Sequence, residues 1–97
     1  MVRIHGNYCG PNWTGGKAYA ASDPRVDWSV PCVDKLDCAC KDHDRDCSHP
    51  KGCSTKGDDA LISTAFWISL FHPNKATRRN AKLITAAISA AKYTRKR

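Results

Sequence analysis

Six cysteines in 97 residues limit what this chain can fold into more than any other feature. A core built from so few residues is thin even at 41% apolar content, so covalent or metal support is expected. The even count favours three disulfides in an oxidising setting, and a metal cluster is the other use of the same residues. Composition assigns no cysteine a partner. The longest mostly apolar stretch, Ala60 to Phe71, is interrupted by Ser63, Thr64 and Ser69 and is too short to cross a bilayer. Residues 1–10 carry one Arg and no apolar run of signal-peptide length, so no signal peptide is expected within the chain.

Charge is unevenly spread. Residues 58–97 hold eight Lys/Arg against two Asp, whereas residues 1–57 hold eight against seven. The basic excess suits a phosphate-bearing surface, and Coulomb attraction alone does not distinguish a membrane from a nucleic acid. All nine acidic residues are Asp. Glu is the better residue on an ordinary exposed helix, whereas Asp belongs to caps, turns and metal loops.

Gly10, Pro11, Asn12, Gly15 and Gly16 crowd the segment Cys9 to Lys17, which reads as a tightly turning loop with carbonyls available to point inward. Strand signals are weak. Asp34 is placed to cap a helix in which Leu36, Cys40, His43 and Cys47 share one face. Asp37 and Asp44 lie on an adjoining stripe, and Asp42 and Asp46 are expected to point toward water. His49-Pro50-Lys51-Gly52 ends this helix. A second helix, starting at Asp58 or Asp59 and running to about Phe71, carries Leu61, Ile62, Ala65, Phe66, Trp67 and Ile68 and is expected to be the core helix, with Trp67 inside. A third, from Asn74 to about Tyr93, sets Leu83, Ile84, Ala87, Ile88 and Ala91 against Lys75, Arg78, Arg79 and Lys82. The last four residues, Thr94 to Arg97, are expected to fray.

Two segments together carry chemistry: Tyr8-Cys9-Gly10-Pro11-Asn12 and Asp37-Cys38-Ala39-Cys40-Lys41-Asp42-His43-Asp44. A hard dication such as calcium needs several oxygens, which a Gly-rich loop supplies as carbonyls while one Asp supplies charge. Adjacent helix residues project about 100° apart, so Asp44 can face an ion while His43 faces a water. A further carboxylate must orient the imidazole. Asp58 and Asp59 are adjacent and only one can face His43. Ile62 and Phe66 follow Asp59 at i+3 and i+7, which favours Asp59.

The Tyr8-Cys9-Gly10 loop, the Pro31 to Leu36 lead-in and Cys40-x-x-His43-Asp44 resemble the calcium loop and active-site helix of secreted phospholipase A2, over roughly residues 7–62. The brevity, Gly10-Pro11 and the run from Asp59 are similar to the compact phospholipase domain of parvovirus capsids. The resemblance implies one all-α domain over residues 1–97, small, mainly helical and disulfide-bridged, with a calcium loop, two antiparallel active-site helices and a third basic amphipathic helix. It implies calcium-dependent hydrolysis of the sn-2 ester of glycerophospholipids at a membrane interface, secreted or extracellular or on a virion. By it, carbonyls of Tyr8, Gly10 and Asn12 and the carboxylate of Asp44 bind Ca2+. His43 activates water, Asp59 holds its ring, the Gly10 amide serves the oxyanion, and Cys9 pairs with Cys40. Cys32, Cys38, Cys47 and Cys53 are left with three possible pairings. Two departures stand out: Asn12 occupies a position that is usually Gly, and Ala39 replaces the first cysteine of the usual pair.

Trp13, Arg78, Arg79 and Lys82 are the expected contacts to an anionic phospholipid surface; nucleic acid is not an expected partner. Two rival readings draw on the same residues. One is a zinc-stabilised nucleic-acid-binding module using Cys38, Cys40, His43 and Cys47, although Cys38-x-Cys40 on a helix projects its thiols about 200° apart. The other is a membrane-binding protein of the same fold without turnover.

Overall fold

The computed structural model describes residues 3–97. Three helices follow a long irregular segment: α1 (Lys35–Cys47), α2 (Thr55–Phe71) and α3 (Lys75–Ala91), with a final 3-10 turn at Lys92–Thr94. Among the described residues there is no strand, only the isolated bridges His5–Cys9 and Thr14–Lys17. The protein is thus mainly helical and bridged by three disulfides.

Each helix starts where a short polar side chain accepts one of the orphan amides of the first turn. Asp34 accepts from the amide of Asp37, Ser54 from that of Gly57 and Asn74 from that of Thr77. The second helix therefore begins at Thr55, earlier than the expected Asp58 or Asp59, because Ser54 takes the capping role.

His43 near the end of α1 meets Asp58 near the start of α2, and Arg95 just after α3 meets Asp58 as well. Both neighbouring pairs therefore run antiparallel, with α2 in the middle. The core joins Tyr8 and Cys9 of the loop to Leu36 and Cys40 of α1, Leu61, Ala65 and Ile68 of α2, and Ala81 and Ile84 of α3. Ala65 and Ala81 are both fully buried, and their small side chains let α2 and α3 approach closely.

The buried face of α2 is Asp58, Leu61, Ala65, Ile68 and Ser69, at i, i+3, i+7, i+10 and i+11. Phe66 and Trp67 lie outside it, 54% and 62% exposed, together with Leu70 and Phe71. The expectation that Trp67 is core is corrected: one residue of offset is 100° of rotation, and α2 is apolar on too many sides for its pattern to fix the inward face. Leu83 of α3 likewise faces outward. The expected fraying at the carboxyl-terminal end is also corrected. Arg97 donates to the carbonyls of Gly52 and Asp46, and its own carbonyl accepts from the amide of Thr55.

Candidate active site

One carboxylate is the main polar anchor of the irregular segment. Asp37, fully buried on α1, accepts from the amides of Asn7 at 3.0 Å, Tyr8 at 2.8 Å and Val33 at 2.9 Å. The chain bends around it at Gly6 (φ 59°), where an added Cβ would lie 2.3 Å from the Asp37 carboxyl carbon, so no side chain fits. Cys9 and Cys40 are joined by a disulfide, which fastens the same loop one turn further along α1. Tyr8 lies over α1, its hydroxyl donating to the Val30 carbonyl and its ring stacked on Trp28. Burial, with the negative charge of Asp37, pushes the Tyr8 phenol upward, so it stays a neutral donor. The sequence places Asp37 on a helix stripe and at the start of the active-site segment but assigns it no partner; its partners are backbone amides, which carry no residue signature.

His43 is buried, and its Nε2 lies 2.6 Å from Oδ1 of Asp58. This corrects the assignment of Asp59. Asp59 points outward and pairs instead with Lys92 at 2.6 Å, because the inward face of α2 passes through 58, 61 and 65. Asp58 has no exposed side-chain surface and is held from its other side by Arg95, whose Nε donates to Oδ2 at 2.7 Å and whose Nη2 donates to Oδ1 at 3.1 Å. Burial raises the Asp58 pKa, but the hydrogen bonds from Arg95 and His43 outweigh it and hold the carboxyl below its ordinary value. An ionised Asp58 only accepts, so Nε2 of His43 is the donor to it, and in the neutral imidazole Nδ1 is then the acceptor.

Tyr8, Gly10, Asn12, His43 and Asp44 line one cleft of about 460 Å3, walled on its apolar side by Leu61 of α2 and by Ile84 and Ile88 of α3. The two loop positions have the backbone freedom the turn needs: Gly10 at φ 144° and Asn12 at φ 51°, where Asn is the best-tolerated residue after Gly. Among the described residues no hydrogen bond reaches the carbonyls of Tyr8, Gly10 or Asn12. Asp44 is the electrostatic oddity. Its Oδ2 is buried without a hydrogen-bond partner, and burial together with the charge of Asp37 raises its pKa to about 8. A buried carboxylate oxygen with no hydrogen-bond partner is uncommon in a folded chain and calls for an explanation.

The other expected surface contacts are dispersed. Trp13 is half-buried and donates its indole N–H to the Gly6 carbonyl at 3.0 Å, a structural role within the loop. Arg78 donates to the carbonyls of His72 and Pro73 beyond the end of α2. Arg79 and Lys82 are exposed on α3, away from the cleft. Asp46, expected to face water, accepts from the amide and hydroxyl of Ser54 and from Arg97. Arg95 had no signal beyond a basic tail.

The remaining cysteines pair as Cys32–Cys38 and Cys47–Cys53. No cysteine is free, which removes the thiolates that a zinc module built on Cys38, Cys40 and Cys47 requires. Set against known proteins, the chain matches no protein-family model, no curated protein and no solved structure.

Proposed function

We propose that the protein is a calcium-dependent phospholipase A2 that uses His43 to activate water against the sn-2 ester of glycerophospholipids. The observation that carries this reading is one apolar-walled cleft that unites a carboxylate-backed imidazole, His43 on Asp58, with the unpartnered carboxylate of Asp44. An oriented imidazole that presents Nδ1 as acceptor is a general base, and a cleft walled by Leu61, Ile84 and Ile88 suits an acyl chain.

Asp44 with the carbonyls of Tyr8, Gly10 and Asn12 would hold the ion. The chemistry a calcium ion supplies there is positive charge against the ester oxygen and the phosphate. His43 Nδ1 takes a proton from water as the water oxygen attacks the ester carbonyl carbon. The same proton then passes to the departing glycerol oxygen, so His43 ends unchanged and no bond to the enzyme forms. Asp58, fixed by Arg95, stabilises the imidazolium present between those two transfers. The Gly10 amide is the proposed second donor to the oxyanion.

An anionic phospholipid surface is the proposed partner, supported by the net charge of +7 and by exposed Arg79 and Lys82. A location outside the cell or on a virion is supported by the full pairing of cysteines. The test is fatty-acid release from mixed phosphatidylcholine and phosphatidylglycerol vesicles, with calcium or a chelator, for wild type and His43→Ala. Release is expected only with calcium and His43 together, and the variant should fall by at least about 100-fold. No release from folded, fully bridged wild-type protein would overturn the reading.

A further inference from the structure

We propose that His43, Cys47 and Cys53 form a zinc site that opens when the Cys47–Cys53 disulfide is reduced. Cys47 lies one helical turn after His43 on the same face of α1, and its Sγ is 3.7 Å from Nδ1 and 3.8 Å from Nε2. Cys53 comes back to the same point from the start of α2, just before the capping Ser54. One ligand atom from each of the three residues lies within 4.8 Å of the others. Nε2 is already committed to Asp58, which leaves Nδ1 to the metal. A carboxylate behind a metal-bound imidazole is the usual outer support of zinc ligands, and here it exists before any metal arrives. Two thiolates and one imidazole, with the fourth position open to water, are a ligand set zinc favours.

Access distinguishes this bridge from the one that holds the loop. Cys9 and Cys40 are buried, at 1% and 3% exposure, whereas Cys47 and Cys53 are half-buried beside the exposed turn at 49–51. The Cys47–Cys53 bridge closes a sequence separation of only 6, against 31 for Cys9–Cys40. Chain-entropy arguments give it the smaller share of stability, so its opening leaves the fold standing. A pair of reductant thiols supplies two electrons and two protons to the S–S bond and leaves as its own disulfide. Zinc then displaces the two new thiol protons. The ion would occupy the lone pair that the proposed hydrolysis requires, so a reducing compartment would hold the enzyme silent. The metal site itself does not depend on the hydrolytic reading.

The experiment uses the full chain, opened with a phosphine, which takes up the oxygen of water and does not chelate metal as a dithiol would. Cobalt(II) is the probe. Alkylation and mass analysis should find Cys47 and Cys53 modified with Cys9–Cys40 intact. One cobalt per chain should bind, with thiolate-to-metal charge-transfer absorption displaced by zinc. The band should vanish in a Cys47→Ser/Cys53→Ser variant, weaken at least tenfold in affinity in His43→Ala, and persist in a Cys32→Ser/Cys38→Ser variant. Absence of the band in reduced protein that keeps its helical circular dichroism would overturn the proposal. So would an unchanged band in the Cys47→Ser/Cys53→Ser variant, or loss of helicity on opening this one bridge in the Cys32→Ser/Cys38→Ser background.

Discussion

The segment 3–34 and the α2–α3 hairpin reach order by opposite means. The segment has no helix or strand, and its path is fixed by a few anchors, chiefly the Asp37 carboxylate and two disulfides to α1. The hairpin is held by many small apolar contacts around Ala65 and Ala81. Concentrated anchors place carbonyls and a buried carboxylate at a site with little surrounding core. Distributed packing tolerates loss at any one point, and α2 even leaves Phe66, Trp67, Leu70 and Phe71 in solvent.

The contrast is broken most severely by Asp37→Ala. Three amides lose their acceptor, and at about 1–3 kcal/mol for each unsatisfied group the loss should reach about 5 kcal/mol. Chemical denaturation would measure it, and the helices should survive in circular dichroism after the loop signals from Tyr8 and Trp28 are lost. The matching insult to the hairpin is Ala65→Leu, where overpacking should cost about 2 kcal/mol with the whole molecule melting as one unit. If Asp37→Ala lowers both regions together, the two are not separately anchored.

Asp44→Asn sharpens the comparison from the other side. With its pKa raised to about 8 against an ordinary value near 4, Asp44 keeps its proton when folded and loses it when unfolded across that window. Stability without calcium should therefore fall as pH rises from about 4 to about 8. Asp44→Asn should flatten this slope and stabilise the chain by about 1 kcal/mol at pH 8, read from thermal melts, while removing calcium binding. Asp58 acts in the opposite sense: its carboxyl is held low, so its contribution is lost as pH falls below about 4. The smallest effect belongs to Asp59→Ala. That exposed pair with Lys92 is screened by solvent, so thermal melts should barely move and lipid hydrolysis should be unchanged. A large loss of hydrolysis in this variant would return the base-orienting role to Asp59.

Legibility in the sequence followed the same division. On α1 the alternation of apolar and acidic residues is sharp, so the Asp34 cap and the shared face of Leu36, Cys40 and His43 could be read directly. On α2 the apolar residues run nearly all round, and the choice of Asp59 over Asp58 rests on Ile62 and Phe66, neither of which is on the buried face. Asp37 answers to backbone amides, so its role had no sequence partner to reveal it. Arg95 meets Asp58 across a separation of 37 residues, and no local periodicity marks such a contact.

That last contact bears on when the molecule becomes competent during its own synthesis. Helices nucleate locally within microseconds, but Arg95 must close on Asp58, and Arg97 on Asp46 across 51 residues, before the His43 support is complete. A growing chain that has built all three helices still lacks the clamp. Helix formation alone thus leaves the His43–Asp58 pair unclamped, and Arg95→Ala should return a folded protein to that unfinished stage.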